Sequence, residues 1–512
     1  MGAALEPIVV RGSTPLVLVA PHGGQRDYEL RRWGSAPLKV NDLHTASLTE
    51  ELAAVTGAAA VINPRLDRND VDLNRLSSAH DRAPVFLEQL AELLSSAIAR
   101  HGYATVLTVH GWNVIQPAAD LGLGCARGAA LDASAAVSPE FAATAVSALV
   151  RACGSRGIAA TIGARYPARG RENLVQLFTP RYRADPRPLV RQLATLGARA
   201  NAVQMELGVP LRWPGVWRRR LIEACVAALP SLLGTNAGGE AAPLPPVPAA
   251  AKGARHTLEI CGSETAALVS MDPASARLLL FPPDGTLALF TGERTGGEAP
   301  GRVGGLRVEP SDGGRVQVRF AGPMLRFPDS TPFLDLERGL AGAAPVEHAE
   351  VALDFIPVHP DLTGAAEFGS VRGAALLDGS QLSLDGRALS TRAAGATVWP
   401  RVRASLDLGD RGFLALTVGL DGGPATGFLC RDGRHQPVVR AEARLGHDDD
   451  RLAGLVLTVE LEGGDRLQLR PEPMRRLPVV RGGAPVPVRL VHACCSLRPG
   501  APLAGWCEIG GF

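Results

Sequence analysis

The sequence is short of several things, and each shortage excludes a class of protein. Net charge comes first: 53 Lys and Arg stand against 51 Asp and Glu, a formal +2 over 512 residues. A generic polyanion binder carries a broad basic surplus, and this chain has none. Lysine is nearly absent, at Lys39 and Lys252 only. The other basic residues are arginines, whose planar fork binds carboxylates in bidentate fashion. The eight cysteines, at 125, 153, 225, 261, 430, 494, 495 and 507, contain no Cys-x-x-Cys. A zinc ribbon therefore has no ligands. No apolar run reaches the ~18–20 residues that a membrane helix needs. The start, Met1-Gly2-Ala3-Ala4-Leu5-Glu6, lacks a basic segment and a long apolar stretch, so no export signal is expected. Glu6 stands where a myristoylation motif wants Ser or Thr. The expectation is a cytoplasmic protein with reduced thiols, no membrane association and no nucleic acid partner.

What is present is an ordinary globular balance, 46% apolar and 20% charged, long enough for two to four domains. Residues 235–255 are rich in Ala, Pro and Gly without apolar periodicity, and read as a linker. The segments on either side differ. Residues 1–234 carry 25 basic and 19 acidic residues, and the remainder has a net charge of −4.

The first segment alternates strand and helix patterns. Leu16–Ala20, Ala59–Ile62, Val106–Val109, Ile158–Ile162 and Val203–Leu207 read as strands. Leu43–Val55, the run opened by Asp81 as N-cap and Pro84 as first-turn proline, Pro139–Cys153, Leu189–Arg199 and Trp217–Leu229 read as helices. The implied fold class is α/β: a three-layer α/β/α domain with a mostly parallel sheet. The rest reads as all-β, a barrel or sandwich, with two halves at 256–360 and 361–512 as one division. Its signals are the alternation Val316, Val318, Phe320 and the turn sequences Pro-Pro-Asp-Gly (282–285), Asp378-Gly379, Asp385-Gly386, Asp421-Gly422, Asp432-Gly433 and Glu462-Gly463-Gly464-Asp465.

Ligands in α/β folds bind at the carboxyl ends of the strands. The chemistry-bearing residues cluster there. His22 follows the first strand and His110 the third. Asp72-Leu73-Asn74-Arg75 comes in the loop after the second, and Glu206 ends the fifth. A lone strand-end histidine is usually structural. Two of them with an acid, an Asn-Arg pair and a late Glu form a joint signal.

This ordered set resembles the zinc carboxypeptidase and aspartoacylase superfamily, and within it the N-formylglutamate amidohydrolase family. The pieces are Pro21-His22-Gly23-Gly24, Asn41-Asp42, Asp72-Leu73-Asn74-Arg75, Val109-His110-Gly111 and Gln204-Met205-Glu206-Leu207, spanning about residues 12–232. The resemblance implies Zn2+ held by His22, Asp42 and His110. It implies Glu206 as the base and acid, Asn74 and Arg75 as a clamp for a substrate carboxylate, and Arg165 and Asn173 in a loop lining the pocket. Zinc with three protein ligands and an open position acidifies water to a pKa of ~7, and a nearby carboxylate moves the proton. The implied activity is hydrolysis of an N-acyl or N-formyl amino acid, a small anionic substrate.

Several residues keep two readings. Asp42 is a ligand or merely the cap of the helix after it, with Asp27 and Glu29 as alternative ligands. Arg75 is a clamp or a salt-bridge partner of Asp67, Asp70 or Asp72. Glu206 is a base or the partner of an arginine. His44 is structural or a support behind the metal ligands, and Trp112 lines the pocket or the core.

The second half resembles a lipocalin-like β-barrel family in Glu367-Phe368-Gly369-Ser370-Val371-Arg372-Gly373, Leu384-Asp385-Gly386-Arg387 and Gly505-Trp506-Cys507-Glu508-Ile509-Gly510. It departs at Ser390-Thr391-Arg392-Ala393-Ala394-Gly395, where that family has Arg-Asp-His-Ser-Trp-Gly. Two rival functions follow: an inactive hydrolase-like domain beside a barrel that binds a hydrophobic small molecule, or a zinc peptidase. Residues 151–220 hold 14 arginines and three acids. That local excess fits an anionic substrate, with Arg218 to Arg220 on a helix surface.

Overall fold

The computed structural model describes residues 6–24, 39–125, 131, 135–234 and 254–510, apart from 263–264, 296–297, 329–339, 360–365, 394–400, 409–412, 420–424, 432–433, 449–450, 471, 482–487 and 497–502. The chain divides into two compact units, Met1–Ala250 with Thr295–Glu298 and Ala251–Arg294 with Ala299–Phe512. The expected linker lies almost wholly outside the described residues, as do Asp27 and Glu29.

The first unit is an α/β fold. Its strands are β1 (Ile8–Val10), β2 (Leu16–Ala20), β3 (Ala59–Ile62), β4 (Ala104–Trp112), β5 (Ala118–Gly122), β6 (Ala159–Ile162) and β7 (Ala200–Gly208). They form one sheet in the order β1-β3-β2-β4-β7-β5-β6. The pairs β2–β3, β2–β4, β4–β7 and β5–β6 are parallel. The pairs β1–β3 and β5–β7 are antiparallel.

Strand β2 is buried at every position, as a strand covered on both faces must be. Successive side chains feed two cores. Leu16, Leu18, Leu107, Val203 and Met205 pack with helices Thr45–Thr56, Ser147–Gly154 and Val216–Leu232. Val17, Val19, Val106 and Ala202 pack on the other face with helices Pro84–His101 and Pro188–Gly197. On that second face, polar residues replace the apolar ones toward the ends of β4 and β7. The site grows out of this change.

Some local expectations need correction. Helix Pro84–His101 does begin on its proline, but its N-cap is Ala83, and Asp81 lies inside a separate short helix, Leu76–Arg82. The helix expected from Leu43 starts at Thr45, because His44 adopts a left-handed φ of 66° at its N-cap. Arg218 is buried rather than on a surface, paired with Glu51 at 2.6 Å. Strand β1, Ile8-Val9-Val10, is β-branched but only three residues long, and β5, Ala118-Ala119-Asp120-Leu121-Gly122, has no β-branched residue to mark it.

The second unit is built of antiparallel strands. Eight of them form a ring in the order Leu287–Glu293, Ser275–Phe281, Ala266–Met271, Arg255–Gly262, Gly386–Ala393, Ala366–Leu377, Ala344–His359 and Val316–Phe327. The last pairs with the first through Leu287 and Phe327 and shuts the ring, which removes the edges of an open sheet. Ile260, Leu278, Leu280, Phe290, Val318, Phe320 and Phe355 fill its core. A second sheet of nine strands runs from Arg401 to Gly510. The two sheets meet where Phe368 stacks on Phe413 at 3.9 Å. The strands of the first sheet lie within Arg255–Ala393 and those of the second within Arg401–Gly510. The turns at 282–285, Asp378-Gly379 and 462–465 join paired strands. Those at Asp421-Gly422 and Asp432-Gly433 lie outside the described residues.

Cys153 and Cys225 are free thiols in the first core. Burial pushes Cys153 up to about 12 and Cys225 higher still. Neither forms the reactive thiolate near neutrality. An alkylating reagent at pH 8 is expected to leave both unmodified in the native protein and to modify both in denaturant, as read by peptide mass spectrometry.

Candidate functional site

The site assembles over the carboxyl ends of β2, β4 and β7. His22 leaves β2 in Pro21-His22-Gly23-Gly24. The Leu66 carbonyl lies against Gly24 so closely that a Cβ there would collide with it. The Asp42 main chain returns to the same loop, its N–H donating to the His22 carbonyl at 2.9 Å.

Asp42 is the centre. It is buried, and its Oδ2 lies 3.2 Å from His22 Nδ1 and 3.2 Å from His110 Nδ1. Its Oδ1 accepts from Arg68 Nη1 at 3.1 Å. The Asp42 side chain does not cap the following helix, whose N-cap is His44. His44 instead sits edge-on to Trp213 at 4.3 Å, a structural contact. The two ligand-type rings approach edge to face, 5.0 Å between centroids. His22, Asp42 and His110 together form a buried group that can hold a metal ion, each offering one ligand atom, all within 4.8 Å of one another.

The hydrogen-bond pattern fits a cation. His22 Nε2 lies 2.8 Å from Asp72 Oδ1, and a proton on Nε2 leaves Nδ1 as a lone pair facing the Asp42 oxygen. A carboxylate behind a ligating histidine is the usual support of a metal site. His110 Nε2 is buried with no hydrogen-bond partner. Two imidazoles and one carboxylate are also the donor set of catalytic zinc.

Glu206 stands beside His110, in register across β4 and β7. It is 7% exposed. Gln204, two residues earlier on the same face, donates Nε2 to Glu206 Oε1 at 2.7 Å. Asn173 Nδ2 in turn donates to Gln204 Oε1 at 2.8 Å. Asn173 thus reaches Glu206 through Gln204, while its own Oδ1 accepts from the Val175 N–H.

Asn74 Oδ1 accepts from the Leu174 N–H at 3.2 Å. Arg75 pairs its main chain with Asn173. Its guanidinium is 61% exposed, with Nε 3.5 Å from Asp72 Oδ2. Lys39 Nζ also reaches Asp72, at 3.1 Å. Trp112 is buried and edge-on to Tyr166 at 5.9 Å. Arg165 is exposed, with its main-chain N–H fixed by Asp120.

Four contributors escape a reading of the sequence: Arg68, Asp72 as the partner of His22, Gln204 and Arg212. Only Gln204 had a signal, the two-residue spacing that puts it on the Glu206 face. Arg212 is fully buried. It donates to the carbonyls of Leu207 at 3.0 Å and Leu43 at 2.8 Å, and to Asn113 Oδ1 at 3.1 Å. It ties the end of β7 to the Asp42 loop.

Electrostatics separate the two central acids. Burial alone would raise the Asp42 carboxyl, but a hydrogen bond from His110, then the facing His22 ring and the Arg68 charge, hold it well below the usual range. Burial, then the Asp42 charge, push Glu206 well above its ordinary value. Burial pulls His110 down to about 4. Without a cation, the site thus favours the charge on Asp42 and the proton on Glu206.

No protein-family model matches this sequence, and no curated protein matches it. Solved structures overlap it weakly. An N-formylglutamate amidohydrolase from Ralstonia eutropha JMP134 is 14% identical with a TM-score of 0.32, over 46% of this chain and 100% of that one. CghA with Sch210972 is 13% identical with a TM-score of 0.29, over 50% of this chain and 88% of that one. Kievitone hydratase from Nectria haematococca is 9% identical with a TM-score of 0.27, over 51% and 89%. So slight an overlap brings no activity to this chain, and function rests on the residues themselves. No helix among the described residues is long and apolar enough to cross a membrane.

Two outcomes are expected. A Cβ on Gly111 would lie 2.6 Å from Arg212 Nη1 and 3.0 Å from Asp42 Cβ. Gly111→Ala should cost about 1–3 kcal/mol by overpacking, measured by urea unfolding. The second concerns pH. In metal-free protein the folded state holds the Glu206 proton above pH 4.5, where the unfolded chain releases it. Stability contributed by this group is full below pH 4.5 and falls as pH rises. Glu206→Gln should therefore melt higher than wild type, by a margin that opens above pH 4.5, in thermal scans with chelator.

Proposed function

We propose that this chain is a zinc-dependent hydrolase that cleaves the amide bond of an N-acyl or N-formyl amino acid, or of a related carboxylate-bearing amide. The observation that supports it is the buried His22–Asp42–His110 group with Glu206 in register beside it. His22, Asp42 and His110 would hold the ion. When bound, zinc supplies Lewis acidity for water and for the scissile carbonyl.

The chain's own residues do the rest. Asp72 fixes the His22 tautomer by accepting at Nε2. Glu206 is the proton carrier: it takes the proton of the attacking water and delivers it to the leaving amine. Gln204 donates to one Glu206 oxygen and leaves the other for that transfer. Asn173 holds Gln204 in turn. The substrate carboxylate falls to Asn74, Arg75 and Arg165, with Arg75 giving up its long contact to the Asp72 carboxylate. Glu206 would ionise more readily beside the bound ion, as a base must.

The test is metal analysis with an amide-hydrolysis assay on N-formyl-L-glutamate and N-acetyl amino acids. Wild type should carry zinc or gain activity from it. Glu206→Gln should keep zinc and lose about 10²–10⁴-fold in kcat. His22→Ala and His110→Ala should lose the metal. A wild type that neither binds zinc nor hydrolyses these amides sinks the reading.

A further inference from the structure

A second buried carboxylate stands in the same row. Strand β5 runs antiparallel to β7 and sets Asp120 opposite Glu206, as β4 sets His110 opposite it. Asp120 is fully buried. Its two oxygens face the turn after β6. Oδ1 accepts from the Thr161 hydroxyl at 2.7 Å and the Ala164 N–H at 2.9 Å. Oδ2 accepts from the N–H groups of Arg165 at 2.7 Å and Tyr166 at 2.6 Å.

Three successive main-chain donors therefore converge on one carboxylate. An ionised acceptor makes such bonds short and strong, and removing it would leave buried donors unsatisfied. The turn needs this hold. It opens at Gly163 with φ 54° and closes at Ala168 with φ 56°, a conformation that a residue with a Cβ adopts only when its surroundings impose it. Gln176 Nε2, donating to the Ala168 carbonyl at 2.8 Å, secures the far end. Tyr166 then lies edge-on to Trp112. Trp112 shares the His110 face of β4, two residues on. The turn is thus held at both ends, and through Tyr166 it meets Trp112 on the His110 face, with Arg165 exposed between them.

We propose that Asp120 is a positioning residue for the substrate: through the main chain of Ala164–Tyr166 it sets the Arg165 guanidinium where it binds the carboxylate of the N-acyl amino acid. Asp120 itself touches neither the metal ligands nor the substrate. The inference rests on the hydrolase reading above.

The experiment uses the full chain loaded with zinc and N-formyl-L-glutamate as substrate, with Asp120→Asn, Arg165→Ala, the double variant, and Thr161→Val. Asp120→Asn presents an NH2 group to N–H donors that need an acceptor. It should raise KM about tenfold or more, with the plateau kcat of the pH profile within about threefold and zinc content unchanged. Arg165→Ala should do the same. The double variant should be no worse than either single one, because both remove the same contact. A purely structural Asp120 would give additive losses and lower kcat. Thr161→Val keeps the carboxylate and removes one donor, so it should raise KM about threefold; it carries the test if Asp120→Asn does not fold. Additive effects, or an unchanged KM in both Asp120→Asn and Thr161→Val, overturn the inference while hydrolysis by wild type leaves the proposed function standing. A wild type with no activity on any N-acyl amino acid overturns both.

Discussion

The first unit depends on the burial of one carboxylate. Asp42 loses its water on folding, and a desolvated carboxylate is tolerated only with partners on every side. Its partners come from separate places in the chain: His22 after β2, Arg68 in the loop after β3, His110 at the end of β4. Each must be delivered within about 3 Å, so the sheet order β3-β2-β4 and the two loops are fixed together. Arg212 serves the same constraint from below. Its guanidinium binds the Leu43 carbonyl, one residue past Asp42, and the Leu207 carbonyl, one residue past Glu206. The loop with the anion and the strand with the second acid are thus held to one cation.

This use of arginine changes how the charge pattern is to be understood. The run of 14 arginines against three acids in residues 151–220 suggests a broadly cationic pocket. Much of it is structural. Arg212 serves carbonyl groups, Arg218 pairs with Glu51, Arg156 lies near Glu223, and Arg187 grips Asp185. Arg220 lies over the Trp217 ring at 4.6 Å. Among the described residues, the cations near the site are Arg68, Lys39, Arg75 and Arg165, three of them in or near the loop around Asp72.

The sequence shows the site where chemistry coincides with a strand end. His22, His110 and Glu206 stand directly after or within apolar runs, and the two-residue period tells which face each takes. It shows the barrel strands where turn residues or alternation mark them, as at Val316–Phe320. It does not show pairing across long stretches. His22 and Asp72 are 50 residues apart, and Arg68 carries no pattern that points to Asp42. Closure of the ring between Leu287–Glu293 and Val316–Phe327 is of the same kind, since it depends on where a strand ends in space. Asp120 was hidden for a different reason. Its strand is short and made of small residues, and without β5 nothing sets an acid opposite Glu206.

The arrangement leaves two electrostatic demands that a single cation would meet. His22 stands between Asp42 and Asp72, and with its Nε2 proton given to Asp72 it turns a lone pair toward the Asp42 oxygen. His110, kept neutral by burial that pulls its pKa to about 4, gives its proton to that oxygen from Nδ1. Burial and the Asp42 charge both disfavour ionisation of Glu206. A divalent ion held by the three residues would satisfy the His22 lone pair without protonating the ring, and its charge would offset the repulsion that disfavours the Glu206 anion. Affinity for metal and readiness of the base are then one property of the site, because both arise from how deeply Asp42 is buried.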